Sequence, residues 1–120
     1  MDIGIFFKGI IDGDEQAVVI CDTEHTIVYM NPSAVRRYSK RGGEALVGKS
    51  LLDCHNPTSR GIICANLKRM KEDFSVNKIF ETHREKNGEN TDVYMVAVRD
   101  ESGRLIGYYE KFEDKNLYQN

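Results

Sequence analysis

Few side chains in this chain of 120 residues could do chemistry. Cys54 and His55 stand together in LLDCHNP. A thiol beside an imidazole can form an activated nucleophile, but only with the base in hydrogen-bond reach and a third group to orient it. Adjacency in sequence often points side chains apart. Phosphate-cradling loops of the GxxxxGK[ST] or GxGxxG kind do not occur. Gly48-Lys49-Ser50 echoes the end of the first but lacks its leading glycine and the strand before it, and reads as a turn. No catalytic residue is therefore assigned, and the expectation is a protein that is not an enzyme. The three cysteines, Cys21, Cys54 and Cys64, form no CxxC pair, so a structural zinc site is not expected. Imidazole and thiolate do ligate haem iron. His55, Cys54 and His83 are thus the candidate cofactor ligands, weighed against the commoner fate of a lone histidine as a surface or hydrogen-bonded residue. His25, in a polar turn, reads as solvated.

Composition bounds what these residues can serve. The length suits one domain with one core. Hydrophobic residues make up 40% and charged residues 30%, with a net charge of -2. That is the balance of a globular protein, and it lacks the basic patch a nucleic-acid surface needs. No stretch is long enough to span a bilayer. Met1 to Gly13 carries Asp2 and Lys8 and has no long apolar run, so it does not read as a secretory segment. An odd number of free thiols then suggests a cytoplasmic setting.

The elements that must position these groups follow from spacing. Ala17 to Cys21 is β-branched and apolar, Asp22 to His25 reverses the chain, and Thr26 to Met30 returns, which predicts a strand hairpin. Asn31-Pro32 then supplies a helix cap and a first-position proline. The helix runs from Ser33 to Tyr38, with Ala34, Val35 and Tyr38 inward and Arg36 and Arg37 in water. Asn56-Pro57 repeats the device and opens a longer helix to about Phe74, on which Ile63, Leu67, Met70 and Phe74 make one stripe. That stripe is core, or one wall of an internal pocket. Three strands close the chain: Val76 to Arg84 centred on Ile79 and Phe80, Thr91 to Arg99, and Arg104 to Phe112. Asn87-Gly88 is the strongest hairpin signal between them. The polar tail from Glu113 frays or leads to a neighbouring domain.

Ahead of all this, Ile3, Phe6, Phe7, Ile10 and Ile11 recur at helical spacing, with Gly13 as the stop. Residues 1–13 thus form an amphipathic flanking helix, residues 14–114 the domain, and residues 115–120 a tail. The helix's apolar face has two outlets, the domain's own sheet or a partner copy. Two adjacent phenylalanines on so short a helix favour the partner. Helices gathered between strands give an α+β plan, one antiparallel sheet with its helices on one face.

Taken together, VVICDTEHTIVYMNPSAVRRY, ALVGKSLLDCHNP and VAVRDESGRLIGYYEKFED resemble the PAS domain family of bacterial sensory domains. The likeness runs from Ala17 to Asp114 and lies in the order and spacing of loose motifs. It implies the PAS fold: a five-stranded antiparallel sheet in the order 2-1-5-4-3, with helices across one face. It also implies signal transduction by small-ligand or redox sensing, with homodimerisation through flanking helices, here Phe6, Phe7 and Ile10. Output would be a kinase or regulator domain, as in two-component systems or transcription regulation. LLDCHNP resembles a subgroup in which a Cys-His-Pro-like triplet opens the long helix, with Asn56 intervening here. Flavin-binding relatives carry a cysteine three residues beyond the glycine; Leu51 stands there, so a flavin photoreceptor is not expected. In the family an internal cavity borders the regions of His55 and His83, which makes a haem gas or redox sensor the alternative. A small organic ligand would lie between Ile63, Leu67 and Met70 and strand residues Tyr94, Val96, Tyr108 and Tyr109, tyrosine hydroxyls serving as polar handles. If those side chains only fill the core, the domain is a ligand-free dimerisation module.

Overall fold

One buried amide explains how the first third of the chain folds. In the computed structural model, which describes residues 1–117, Asn31 is fully buried at the junction of three elements: α1 (Ile3–Asp12), β1 (Val18–Asp22) and α2 (Pro32–Arg37). Its Oδ1 accepts from the N–H of Ala34, capping α2, and from the N–H of Val18, starting β1. Its Nδ2 donates to the carbonyls of Ile11 and Gln16, each about 3 Å away. A buried amide so fully partnered fixes the relative placement of everything it touches. Pro32 takes the first helical position as the sequence predicts.

β1 turns back through Asp22 to His25 into β2 (Ile27–Met30). Turns at Ser39–Arg41, Gly43–Leu46 and Leu51–Cys54 lead to α3 (Pro57–Glu72), capped by Asn56. Then come β3 (Lys78–Arg84), β4 (Thr91–Arg99) and β5 (Leu105–Asp114). The strands form one antiparallel sheet in the order β2-β1-β5-β4-β3, so the two ends of the chain meet at its centre, with Cys21 opposite Tyr108. Gly107 permits the close approach there: a Cβ would lie 2.2 Å from the carbonyl oxygen of Cys21. Asn87 and Gly88 both take positive φ in the β3–β4 turn, the left-handed pair a tight hairpin needs.

Strand alternation decides which face each side chain sees. Val93 and Met95 of β4 and Tyr108, Glu110 and Phe112 of β5 face the helices and are buried. Ile63, Leu67 and Met70 of α3 cover them as one cluster. Arg99 ties the end of α3 to β4 through the carbonyls of Met70 and Val76 and the side chain of Asn77.

Several boundaries differ from expectation. α3 ends at Glu72, because Asp73 is extended, and Phe74 leaves the stripe to lie exposed near the Arg99 guanidinium. Phe80 is also exposed, stacked edge-on against Tyr94 on the outer face rather than forming an apolar centre. Glu113 and Asp114 belong to β5, not to a frayed tail. Of the tail, residues 118–120 lie outside the described residues.

Candidate functional site

His55 stands between the Leu51–Cys54 turn and α3, held there by local geometry. Its Nδ1 lies 2.8 Å from the carbonyl oxygen of Leu51. A carbonyl only accepts, so Nδ1 carries the hydrogen, and in the neutral ring Nε2 presents its lone pair inward. The side chain is only 5% exposed. Arg60 fixes the backbone beneath it, its Nε donating to the carbonyls of both Leu52 and His55.

Nε2 faces two carboxylates. Glu110 Oε2 is 3.9 Å away, beyond hydrogen-bond distance. Glu110 is completely buried, and among the described residues no N–H or hydroxyl donor meets either of its oxygens or Oε1 of Glu81, itself 7% exposed; the two carboxyls are close enough to share a proton when one of them is in its acid form. One ligand atom from each of His55, Glu81 and Glu110 lies within 4.8 Å of the others. Burial pushes the Glu110 carboxyl well above its ordinary range, and the neighbouring Glu81 carboxyl adds to the shift.

Glu110 reaches this position by simple alternation between Tyr108 and Phe112. Glu81 reaches it the same way, two residues beyond Ile79, which pairs with the buried Met95, and next to the exposed Phe80. A β-bulge falls at Glu81, since Phe80 pairs with Tyr94 and Thr82 with Val93, and it changes the parity only of the residues that follow. Neither carboxylate emerges from the sequence reading. A glutamate at an inward position of Y-x-E-x-F was a usable signal; for Glu81 the adjacent apolar pair Ile79 and Phe80 hides which parity of the strand faces inward.

Cys54, half-buried, and Tyr38 separate two spaces. On one side is an apolar interior cavity of about 10 Å3, with Val19, Met30 and Leu51 in its wall, room for no more than a single water. On the other is a surface cleft of about 610 Å3 with Arg37, Lys40, Arg41 and Arg84 on its walls. Arg37 pairs with Glu89 and lies over the Phe112 ring, 4.5 Å from its centre.

The remaining sequence candidates scatter. Ile63, Leu67, Met70 and Tyr108 line the interior, all buried. Tyr94, Val96 and Tyr109 do not. They occupy the alternate positions of β4 and β5 and face away from the helices, so they do not line the interior with Tyr108. His83 is on that outer face too, with Nδ1 2.6 Å from Asp92 and Nε2 3.1 Å from Glu85. Hydrogen bonds to these carboxylates hold its pKa above the ordinary histidine value. It does not border the interior, and His55 faces carboxylates rather than open space. The interior thus does not fit a haem held by these two histidines. Leu51, at the position of the flavin-reactive cysteine, is core.

His25 is not solvated either. It sits at φ 68° with Nδ1 2.8 Å from the hydroxyl of Tyr108 and Nε2 3.9 Å from Sγ of the exposed Cys64. Partial burial, aided by the charge of Lys71, lowers its pKa. The fully buried Cys21 is chemically quiet: burial pushes its thiol up to about 12.

Comparison with known proteins agrees with this architecture. A family model described as the PAS fold matches residues 11–115. No curated protein matches the sequence. Among solved structures, the PAS domain of Bordetella pertussis BvgS superimposes with a TM-score of 0.69 at 18% identity, covering 95% of this chain and 87% of that one. A sensory box sensor histidine kinase from Vibrio cholerae gives 0.60 at 16% identity, covering 92% and 90%. The Aer2 receptor of Vibrio cholerae, described as a dual PAS-heme oxygen sensor, gives 0.60 at 18%, covering 82% and 93%.

Proposed function

The chain belongs to the PAS family, and on that premise we propose that it is a sensory domain that controls an output module by a ligand or redox event and by homodimerisation. The similar folds of a sensor histidine kinase and a haem oxygen sensor support the sensory part. The observation that carries the reading is α1. Ile3, Ile5, Phe6, Phe7 and Ile10 are each more than half exposed, and the helix has no buried residue. Such a stripe, on a helix otherwise well formed, calls for a partner surface. A second copy of the same helix is the partner favoured here. Among the described residues no helix is long and apolar enough to cross a membrane.

The helix is also wired to the sheet. Tyr29 of β2 hydrogen-bonds Asp12, and Asn31 holds the carbonyl of Ile11. Glu110 pairs with Val19 on β1, one residue from the Val18 N–H that Asn31 accepts. A change at Cys54, His55 or Glu110 would thus reach α1 through β5, β1 and Asn31. It biases a dimer only if the signal prefers one of two arrangements. A catalytic step has no part in this reading.

Sedimentation of the wild type and of a Phe6→Glu/Phe7→Glu variant tests it. The expected result is a dimer that the variant breaks into folded monomers. A monomeric wild type, or a variant dimer of unchanged strength, contradicts it. The small interior cavity supports a second reading, a dimerisation module without a ligand. Native mass spectrometry of freshly purified protein separates the two: added small-molecule mass favours the sensor, and bare dimers favour the module.

A further inference from the structure

We propose that His55, Glu81 and Glu110 form an interior binding site for one divalent first-row transition-metal ion. The donor set argues for a cation. Three acceptor atoms converge within 4.8 Å, and among the described residues no N–H or hydroxyl donor reaches either oxygen of Glu110 or Oε1 of Glu81, so that without a cation these two carboxyls can only share a proton with each other. Two buried carboxylates cost a fold several kcal/mol unless a proton or a cation meets them, and a metal ion would take the place of that shared proton. Arg84, whose charge is felt at Glu110, is itself exposed, with its guanidinium 6.0 Å from the centre of the Phe112 ring, and it makes no hydrogen bond to the buried carboxyls. A dication balances two carboxylates and leaves the core neutral.

Geometry agrees. Ligand atoms about 2.1 Å from one ion stand no more than about 4.2 Å apart. His55 Nε2 and Glu110 Oε2, at 3.9 Å, already satisfy this, and a side-chain adjustment of under an ångström brings in the third. His55 carries the outer-shell feature that ligating histidines need: its other ring nitrogen donates to a backbone carbonyl, that of Leu51, which fixes the tautomer and aims Nε2. One imidazole with two carboxylates suits zinc, manganese, iron or cobalt rather than calcium, which takes six to eight oxygens. Three protein ligands leave a coordination position for a small molecule. This site stands on its own donors and does not depend on the dimer reading.

The test uses the full chain, stripped with a chelator and dialysed against zinc alone, then manganese alone, with calcium as the contrast. Wild type should take up one zinc per chain and little calcium. His55→Ala and Glu110→Gln should each weaken zinc binding by at least about tenfold, with circular dichroism showing both folded. His83→Ala, which removes the exposed imidazole beside Asp92 and Glu85, should bind like wild type. Wild type that takes up no zinc overturns the proposal, as does binding lost in His83→Ala or kept in both interior variants. Zinc-edge X-ray absorption on the wild type needs no variant. Nitrogen and oxygen neighbours alone support the site, whereas a sulfur shell near about 2.3 Å would move the ion to a cysteine and overturn the assignment.

Discussion

The buried amide of Asn31 and the buried carboxyls of Glu81 and Glu110 meet opposite fates in this core. Asn31, beneath β1, has a partner for its oxygen and for its amide nitrogen, four backbone groups in all at about 3 Å. The carboxyls beneath β5 and β3 have, among the described residues, no N–H or hydroxyl donor at Oε1 of Glu81 or at either oxygen of Glu110. The first arrangement is what a structural hub looks like: desolvation is repaid in full, and three elements are locked together. The second is what a binding site looks like, because two buried carboxyls with only each other and a proton for company cost the fold stability.

Substitution sharpens that contrast. Asn31→Ala should have the largest effect. It strands the N–H groups of Val18 and Ala34 and releases the carbonyl of Ile11, for a loss of about 3 kcal/mol or more in urea unfolding, and it should loosen α1. Equal stability would show that the hub is dispensable. Glu110→Gln should act in the opposite direction. The groups that surround Glu110 are Glu81 of β3, His55, Cys54 and Tyr38 on the helical side, and Arg84 at the sheet edge. Because the folded carboxyl titrates above its unfolded value, wild type keeps this contribution below about pH 4.5 and loses it as pH rises toward the folded value. The variant should therefore match wild type near pH 4 and exceed it at pH 8, by on the order of 1 kcal/mol or more, in the absence of metal.

Smaller effects lie outside both regions. Tyr108→Phe removes the hydroxyl at His25 Nδ1 and should cost about 1 kcal/mol; no change would mean that water replaces it freely. His83 is the smallest case. Its pKa is raised by Asp92 and Glu85, so its contribution is full below the ordinary histidine value and fades as pH climbs through the raised one. His83→Ala should flatten that weak dependence above the ordinary histidine value without affecting the interior. A large loss in this variant would make the outer face more than a solvated surface.

Much of the fold is legible in the sequence because its signals are local. Asn-Pro before each helix, Asn87-Gly88 between strands, and the apolar periodicity of residues 3–11 each act over a few residues and survive into the structure. The candidate site is less legible because its parts meet across the chain. Tyr108 and Tyr109 are neighbours on one strand and cannot both face inward, so a cavity using both was ruled out by alternation alone. Glu110 was open to the same argument. Glu81 was less so, because the adjacent apolar pair Ile79 and Phe80 leaves the inward parity of that strand open until Phe80 is seen to be exposed. His25 looked solvated because its partner, Tyr108, is 83 positions away. Phe74 matched its helix's period but fell beyond the point where Asp73 ends it.

The central claim is that the interior carboxylates are kept for a ligand at the expense of stability. Thermal unfolding of wild type and Glu110→Gln at pH 8, each with a chelator and with zinc, tests it most directly. The account predicts a crossing: the variant melts higher under chelator, and wild type gains on zinc until it melts higher than the variant. A variant that melts lower than wild type under both conditions, with zinc shifting neither, would show that Glu110 is an ordinary structural residue.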